Sequence, residues 1–164
     1  MRILFLDMDG TVRWGKKQLG RYISTPDDVV VFKEVPSILT LYRKAGWEIV
    51  GLSNQGGIAL GYISFDDVLR NMNRTRVLLC DDMEIYVCPH HPDAPDPRMR
   101  YCLCRKPKIG MICTAVSDLM CGAAGDLMWD QPESLVVGDR DEDRLMAASA
   151  GIPFMWAEQW RMSR

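Results

Sequence analysis

Asp7 and Asp9 stand one residue apart, directly after the apolar run Ile3-Leu4-Phe5-Leu6 and directly before Gly10-Thr11-Val12. On an extended backbone side chains at i and i+2 point the same way, so two acids at this spacing repel unless a cation lies between them. A divalent ion that prefers hard oxygen ligands, such as Mg²⁺, would meet that need. A plainer alternative is a strand ending in an Asp-Gly turn. A second reactive group comprises Cys88, the adjacent His90 and His91, then Cys102 and Cys104. Three sulfurs and one imidazole suit tetrahedral Zn²⁺, and four protein ligands leave no open position, which makes such a site structural. These residues flank a proline-rich stretch that has nothing else to fold it, and that favours a metal over isolated thiols. Either histidine could be the nitrogen ligand. Arg98, Arg100, Arg105, Lys106 and Lys108 form a basic run in an acidic chain. It is either a solvated face or, with the loop fixed, a means of aiming Arg105 beside Lys106 at an anionic group.

The elements that must position these residues alternate. Short apolar runs predict strands over residues 3–6, 48–52, 84–87, 135–137 and 154–156. Helical spacing predicts helices over 35–46, from Ser64 (whose pairing with Asp67 resembles a capping box) towards Cys80, over 109–121, and over 141–150. The polar segment 13–26, with Gly15 and Gly20, reads as a flap over the end of the first strand or as an ordinary surface loop. The fold class is therefore α/β, a Rossmann-like, mostly parallel sheet with helices on both faces. In such sheets ligands bind beyond the carboxyl ends of the strands. Asp7 and Asp9, Ser53 and Asp139 all fall there, and that convergence favours the metal reading over the turn.

With 164 residues, the chain is expected to be a single domain, 1–164, with its zinc loop at about 88–104. Hydrophobic residues at 48% and charged ones at 26% are ordinary for a soluble globular protein. A net charge of -2 argues against a global basic field for nucleic acid. No apolar run reaches membrane-spanning length, and the signal-peptide pattern is missing, so a cytoplasmic, non-membrane protein is expected. The 11 methionines are scattered and read as core filler. Cys80, Cys113 and Cys121 sit in helical pattern and are expected in the core.

Asp7-Met8-Asp9-Gly10-Thr11-Val12, Ser53-Asn54-Gln55, Lys106 ahead of a helix, and Gly138-Asp139 with Asp143 resemble, in order and spacing, the four motifs of the haloacid dehalogenase superfamily of phosphotransferases. The resemblance spans residues 3–151. Cys88-Pro89-His90-His91-Pro92, Cys102-Leu103-Cys104-Arg105-Lys106-Pro107 and the run from Ser53 to Gly61 are similar to its small capless branch. That branch holds the D-glycero-D-manno-heptose 1,7-bisphosphate and histidinol-phosphate phosphatases, with polynucleotide kinase 3'-phosphatases more distant.

The resemblance implies a domain without a cap, carrying a zinc-stabilised loop insertion. It implies Asp7 as a nucleophile that becomes an aspartyl-phosphate, and Asp9 as the acid that protonates the leaving alkoxide and then serves as base. Mg²⁺ would bridge the Asp7 carboxylate, the Asp9 backbone carbonyl, Asp139 and the phosphate. Ser53 and Lys106 would hold the transferring oxygens, Asn54 and Arg105 would join them in binding substrate, and Asp143 would orient the metal and lysine from behind. The family pattern selects His90 over His91, giving Cys88, His90, Cys102 and Cys104 for zinc. Taken singly, Ser53 could cap a turn, and Lys106 or Asp143 could be solvated charges.

The heptose enzymes usually carry arginine where Met8 and Leu60 stand, a polar pair at Arg13-Trp14, and lysine at Arg140. These departures surround the substrate end, so they bear on specificity rather than on the chemistry. The expected substrate is a small phosphorylated molecule, a sugar bisphosphate such as heptose 1,7-bisphosphate, taken by a monomer. Histidinol phosphate and a polynucleotide 3'-phosphate are the alternatives, the latter the one way nucleic acid would enter. A zinc-bearing binding module on an inactive phosphatase fold is the rival of another class. A phosphomutase would need a cap to exclude water.

Overall fold

The structure, a computed structural model, describes residues 1–16, 23–122 and 128–163. In chain order come β1 (Arg2–Asp7), β2 (Arg13–Gly15), β3 (Val29–Val31), α1 (Val35–Lys44), β4 (Trp47–Asn54), α2 (Phe65–Leu79), β5 (Glu84–Cys88), α3 (Gly110–Gly122), β6 (Leu135–Gly138), α4 (Asp141–Ala150), β7 (Phe154–Trp156) and α5 (Ala157–Met162). Five strands form one parallel sheet, as the sequence predicts, and their order is β5-β4-β1-β6-β7.

β1 lies at the centre and alternates cleanly. Ile3 and Phe5 pack with Val50, Leu52 and Val136 under α3 and α4, through Met111, Ile112, Ala115, Met146 and Ala147. Leu4 and Leu6 face the other way, towards Ile38 and Leu39 of α1 and Trp160 of α5. A strand covered on both faces has to be apolar on both, and this is why four consecutive residues of β1 are fully buried. Among the described residues, no helix is long and apolar enough to cross a membrane.

The register sets the site. Asp7 pairs with Leu52 of β4, and Leu6 with Val137 of β6. Asp7, Ser53 and Asp139 therefore emerge within a residue or two of one another along the carboxyl edge.

The segment expected as a flap or loop departs from that reading at its start. Arg13–Gly15 pairs antiparallel with Val29–Val31. Residues 17–22 of that segment lie outside the described residues. The short helix α5 has no counterpart in the sequence reading. Cys80, Cys113 and Cys121 are exposed, not core. Cys113 and Cys121 lie on the exposed face of α3 and Cys80 caps the end of α2, since a thiol is small enough to be tolerated on either side of a helix.

Candidate active site

Asp7 ends β1 with its carboxylate nearly buried, 9% exposed. Lys106 Nζ donates to Asp7 Oδ1 at 2.5 Å, and Thr11 Oγ1 donates to Oδ2 at 3.0 Å. Lys106 is itself buried and donates also to the Leu52 carbonyl at 3.1 Å. Its third close partner is Asp143 Oδ1 at 2.7 Å. Asp143 Oδ2 accepts from the Arg140 backbone N–H at 3.1 Å, which fixes the acid at the first turn of α4. Burial pushes Asp7 up to about 7, in spite of the attraction of Lys106. Burial also works against charge on Lys106, but Asp7 and Asp143 more than offset it and hold its pKa above the ordinary value.

Two glycines make this crowding feasible. A Cβ on Gly10, whose φ is +102°, would stand 2.0 Å from Asp139 Oδ2, and one on Gly138 would stand 2.3 Å from the Asp143 Cβ. Only a residue without a side chain lets these carboxylates approach the turn. The carboxylates of Asp7, Asp139 and Asp143 converge so that one oxygen from each lies within 4.8 Å of the others. An all-oxygen set at this spacing suits a hard divalent cation. Burial raises the Asp139 pKa as well, so a cation would relieve two strained acids at once.

Asp9 is engaged differently. Its Oδ1 accepts from Arg13 Nε at 2.9 Å, and its Oδ2 from Gln55 Nε2 at 2.6 Å and from Ser53 Oγ at 3.5 Å. Burial alone would raise its pKa, but Arg13 and Gln55 hold it below the usual carboxylate range. Asn54 lines the same cleft, yet both ends of its amide are committed to the backbone of Lys106: Nδ2 donates to the carbonyl at 3.3 Å and Oδ1 accepts from the N–H at 3.0 Å. Ser53 is buried and its hydroxyl accepts from Gln55 at 2.8 Å.

These groups open into a cleft of about 360 Å³, the scale of a small-molecule site. Its more exposed wall carries Leu60, Tyr62, His91, Asp93, Arg105, Arg140 and Glu142. Arg105 is held there by its Nη1, which donates to the His90 carbonyl at 3.0 Å. Met8, by contrast, is fully buried in the core, against Gly51, so it cannot touch what the cleft holds.

Beside the cleft, the end of β5 and the loop after it gather Cys88, His90, Cys102 and Cys104, with ligating atoms within 4.8 Å of one another. Cys88 Sγ lies 3.7 Å from Cys102 Sγ, 3.1 Å from Cys104 Sγ and 3.7 Å from His90 Nδ1, and Cys104 Sγ lies 3.4 Å from that nitrogen. Bonds of about 2.3 Å to sulfur and 2.0 Å to nitrogen give a tetrahedron with S···S edges of about 3.8 Å and S···N edges of about 3.5 Å. Three of the four separations fit such a shell to within about 0.2 Å, and the Cys88–Cys104 pair is closer than it requires. His91 is not part of it: its Nδ1 accepts from the Asp93 backbone N–H at 3.1 Å and its ring lines the cleft.

Each catalytic, substrate-binding and metal-ligating residue expected from the sequence lies in or beside these two clusters, whereas Met8 is in the core and Arg98, Arg100 and Lys108 of the basic run are exposed. Residues of the site to which the sequence assigns no role are Thr11, Arg13, Gln55 and Arg161. Arg161 of α5 donates through Nη1 to the carbonyls of Gly10 at 2.9 Å and Thr11 at 2.8 Å, and its guanidinium sits 4.0 Å over the Phe32 ring. Arg13, expected from the resemblance at the substrate end, is instead 1% exposed and bonded to Asp9, a pairing that their opposite charges four residues apart foreshadow.

Comparison with known proteins agrees with this geometry. Residues 2–160 match the family described as polynucleotide kinase 3 phosphatase. A protein of Thermoplasma acidophilum named "Probable D-glycero-D-manno-heptose-1,7-bisphosphate 7-phosphatase" is 34% identical, covering 94% of this chain and 88% of its own length. D-glycero-beta-D-manno-heptose-1,7-bisphosphate 7-phosphatase of Haemophilus ducreyi is 33% identical, over 92% of this chain and 79% of its own. Among solved structures, the D,D-heptose 1,7-bisphosphate phosphatase of B. bronchiseptica, complexed with magnesium and phosphate, superposes with a TM-score of 0.74 at 25% identity, covering 94% of this chain and 79% of that one. The chain therefore belongs to the polynucleotide kinase 3 phosphatase family, and it is a phosphatase of the haloacid dehalogenase superfamily, in the branch that holds the heptose-bisphosphate phosphatases.

Proposed function

We propose that this phosphatase hydrolyses a small sugar bisphosphate of the D-glycero-D-manno-heptose 1,7-bisphosphate type, with Mg²⁺ and through a phosphorylated Asp7. The observation that carries the reading is the setting of Asp7. It is a carboxylate at a strand end, gripped by Lys106 and Thr11, with its remaining approach open to a cleft of small-molecule size.

An Asp7 oxygen would attack phosphorus as the bond to the sugar oxygen breaks, and Asp9 would give its proton to that departing oxygen. Water would then attack the acyl phosphate with Asp9 as base, freeing inorganic phosphate and restoring Asp7. The arriving phosphate dianion favours protonated Asp9, against the pull of Arg13. Lys106 bridges Asp7 and Asp143 and would neutralise transferring oxygens, with Ser53 beside it. Asn54 would act through the Lys106 backbone, and Arg105 would meet the second phosphate. Mg²⁺ held by Asp7, Asp139 and the Asp9 carbonyl, with Asp143 behind them, would keep Asp7 ionised and offset phosphoryl charge. Zn²⁺ at Cys88, His90, Cys102 and Cys104 would be structural, since four protein ligands complete its shell.

The family's name keeps a polynucleotide 3'-phosphate as the second reading. The exposed wall of the cleft speaks against it: Arg105 and Arg140 are matched by Asp93 and Glu142, so the wall offers little net charge to a polyanion. The test is phosphate release with Mg²⁺ from sugar bisphosphates, histidinol phosphate and 3'-phosphorylated oligonucleotides. A kcat/KM for heptose 1,7-bisphosphate at least about tenfold above the others is expected. Preference for the oligonucleotide would replace this reading.

A further inference from the structure

Arg13 is one of the largest side chains in the molecule to be fully buried, at 1% exposure, and it opens β2 only four residues after Asp9. Its Nε donates to Asp9 Oδ1, and its Nη1 donates to two groups of α2, the Asn71 carbonyl at 3.1 Å and Thr75 Oγ1 at 2.7 Å. Asn71 and Thr75 are themselves buried, and Thr75 Oγ1 donates in turn to the Asn71 carbonyl at 2.8 Å. The guanidinium is thus a rigid strut between the turn after β1 and the inner face of α2.

Burying a guanidinium loses its hydration, which pairing with a carboxylate still 36% exposed only partly offsets, and an apolar side chain of similar volume usually stabilises a core as well or better. Stability alone is therefore a poor reason for Arg13. Geometry supplies a better one. With Oδ1 tied to Arg13 and Oδ2 to Gln55, the carboxyl group of Asp9 cannot rotate, and the oxygen presented beside Ser53 is always Oδ2.

We propose that Arg13 is a positioning residue for proton transfer: anchored on α2, it fixes the carboxyl of Asp9 so that Oδ2 faces the bond that breaks. This rests on the role given to Asp9 above. A misaligned acid matters most where the departing oxygen needs a proton, so the cost of losing Arg13 depends on the leaving group.

The experiment is a double-mutant cycle, R13M, D9N and R13M/D9N, each assayed on an alkyl phosphate and on p-nitrophenyl phosphate with thermal unfolding as control. R13M is expected to lower kcat on the alkyl phosphate by about 100-fold, to lower it much less on the aryl phosphate, and to leave KM within about threefold. In the D9N background R13M should cost almost nothing further, because the residue it positions is gone. R13K, which keeps the charge but not the fork, should recover only part of the loss. Equal losses on both substrates, or an undiminished further loss in the D9N background, would overturn the proposal. Wild-type turnover by D9N would remove the reading of Asp9 and the proposal with it. Should R13M not fold, T75V removes one anchor while keeping the Asp9 contact. It is expected to show the same leaving-group pattern at a few-fold scale, and a uniform or null effect on both substrates would overturn the proposal.

Discussion

The carboxylate cluster and the thiol–imidazole cluster stand at the same end of one sheet, and both could hold a metal, but the chain prepares them differently. Asp7, Asp139 and Asp143 come from strand ends and the first turn of α4. They are brought together by sheet register and by glycines that leave room for them. They also face a cation of the chain's own in Lys106. The ligating atoms of Cys88, His90, Cys102 and Cys104 meet mainly one another, on a loop where Tyr101 and Leu103 point outward, 84% and 80% exposed. The first cluster is held by packing whether or not an ion is bound. The second rests on Cys88 in the core and on hydrogen bonds within the loop, from Arg100 Nε to the Ala94 carbonyl and from Arg105 Nη1 to the His90 carbonyl, and an ion would tie its four ligands together. Lys106, two residues after Cys104, ties the fate of one to the other.

The largest effect should come from striking the packed cluster at its centre. D7N should reduce phosphate release to below about one-thousandth of wild type while the far-ultraviolet circular dichroism stays native. The fold survives because an amide avoids the burial cost that pushes the Asp7 carboxylate upward. Turnover within tenfold of wild type would remove the covalent step.

Next in size is the loop. C102S should lose zinc by elemental analysis, open residues 88–104 to protease and raise KM by about tenfold, with a smaller fall in kcat through Lys106. A metal-free wild type with a protease-resistant loop and full activity would erase the contrast between the clusters.

A third measurement sharpens it on the carboxylate side. A folded-state pKa of about 7 for Asp7 against an ordinary value of 3.8 means that the folded chain binds a proton more tightly than the unfolded one. Stability of the metal-free protein should therefore fall as pH rises from about 4 towards 7 and stay low above it. Added Mg²⁺ favours the ionised acids, so the Tm it restores should be larger at pH 8 than at pH 5.5. An equal rise at both would mean that the ion binds elsewhere.

Smallest is R161M, which removes the brace on the Gly10 and Thr11 carbonyls and should cost about 1–2 kcal/mol in urea unfolding, with a few-fold fall in kcat.

The same division separates the residues legible in the sequence from those that are not. β1, β4 and β6 announce themselves because a strand buried on both faces must be apolar throughout, and the acids and Ser53 are legible as the polar residues at the ends of such strands. The thiols of the loop are legible from residue type and spacing, and the choice of His90 over His91 from the resemblance. Arg13 is not. The resemblance places it at the substrate end, and nothing local reveals that it is buried with acceptors 58 and 62 residues away on α2. Gln55 looks like part of a glycine-rich turn, although its amide spans Asp9 and Ser53. The six residues of α5 are too few for a helical period to stand out, although they carry Trp160 into the core. Residues that supply ligands were visible, whereas those that aim them were decided by tertiary contacts.

The brace from Arg161 has a consequence in time. It joins carbonyls 150 and 151 residues upstream, across the greater part of the chain. During synthesis, every carboxylate of the cleft and every thiol of the loop has been made before this arginine is added. At about 5–20 residues per second, the turn that carries Asp9 waits about 8–30 seconds for this support. The ligands of the nascent phosphatase are thus made before the arginine of α5 that braces the turn beside them.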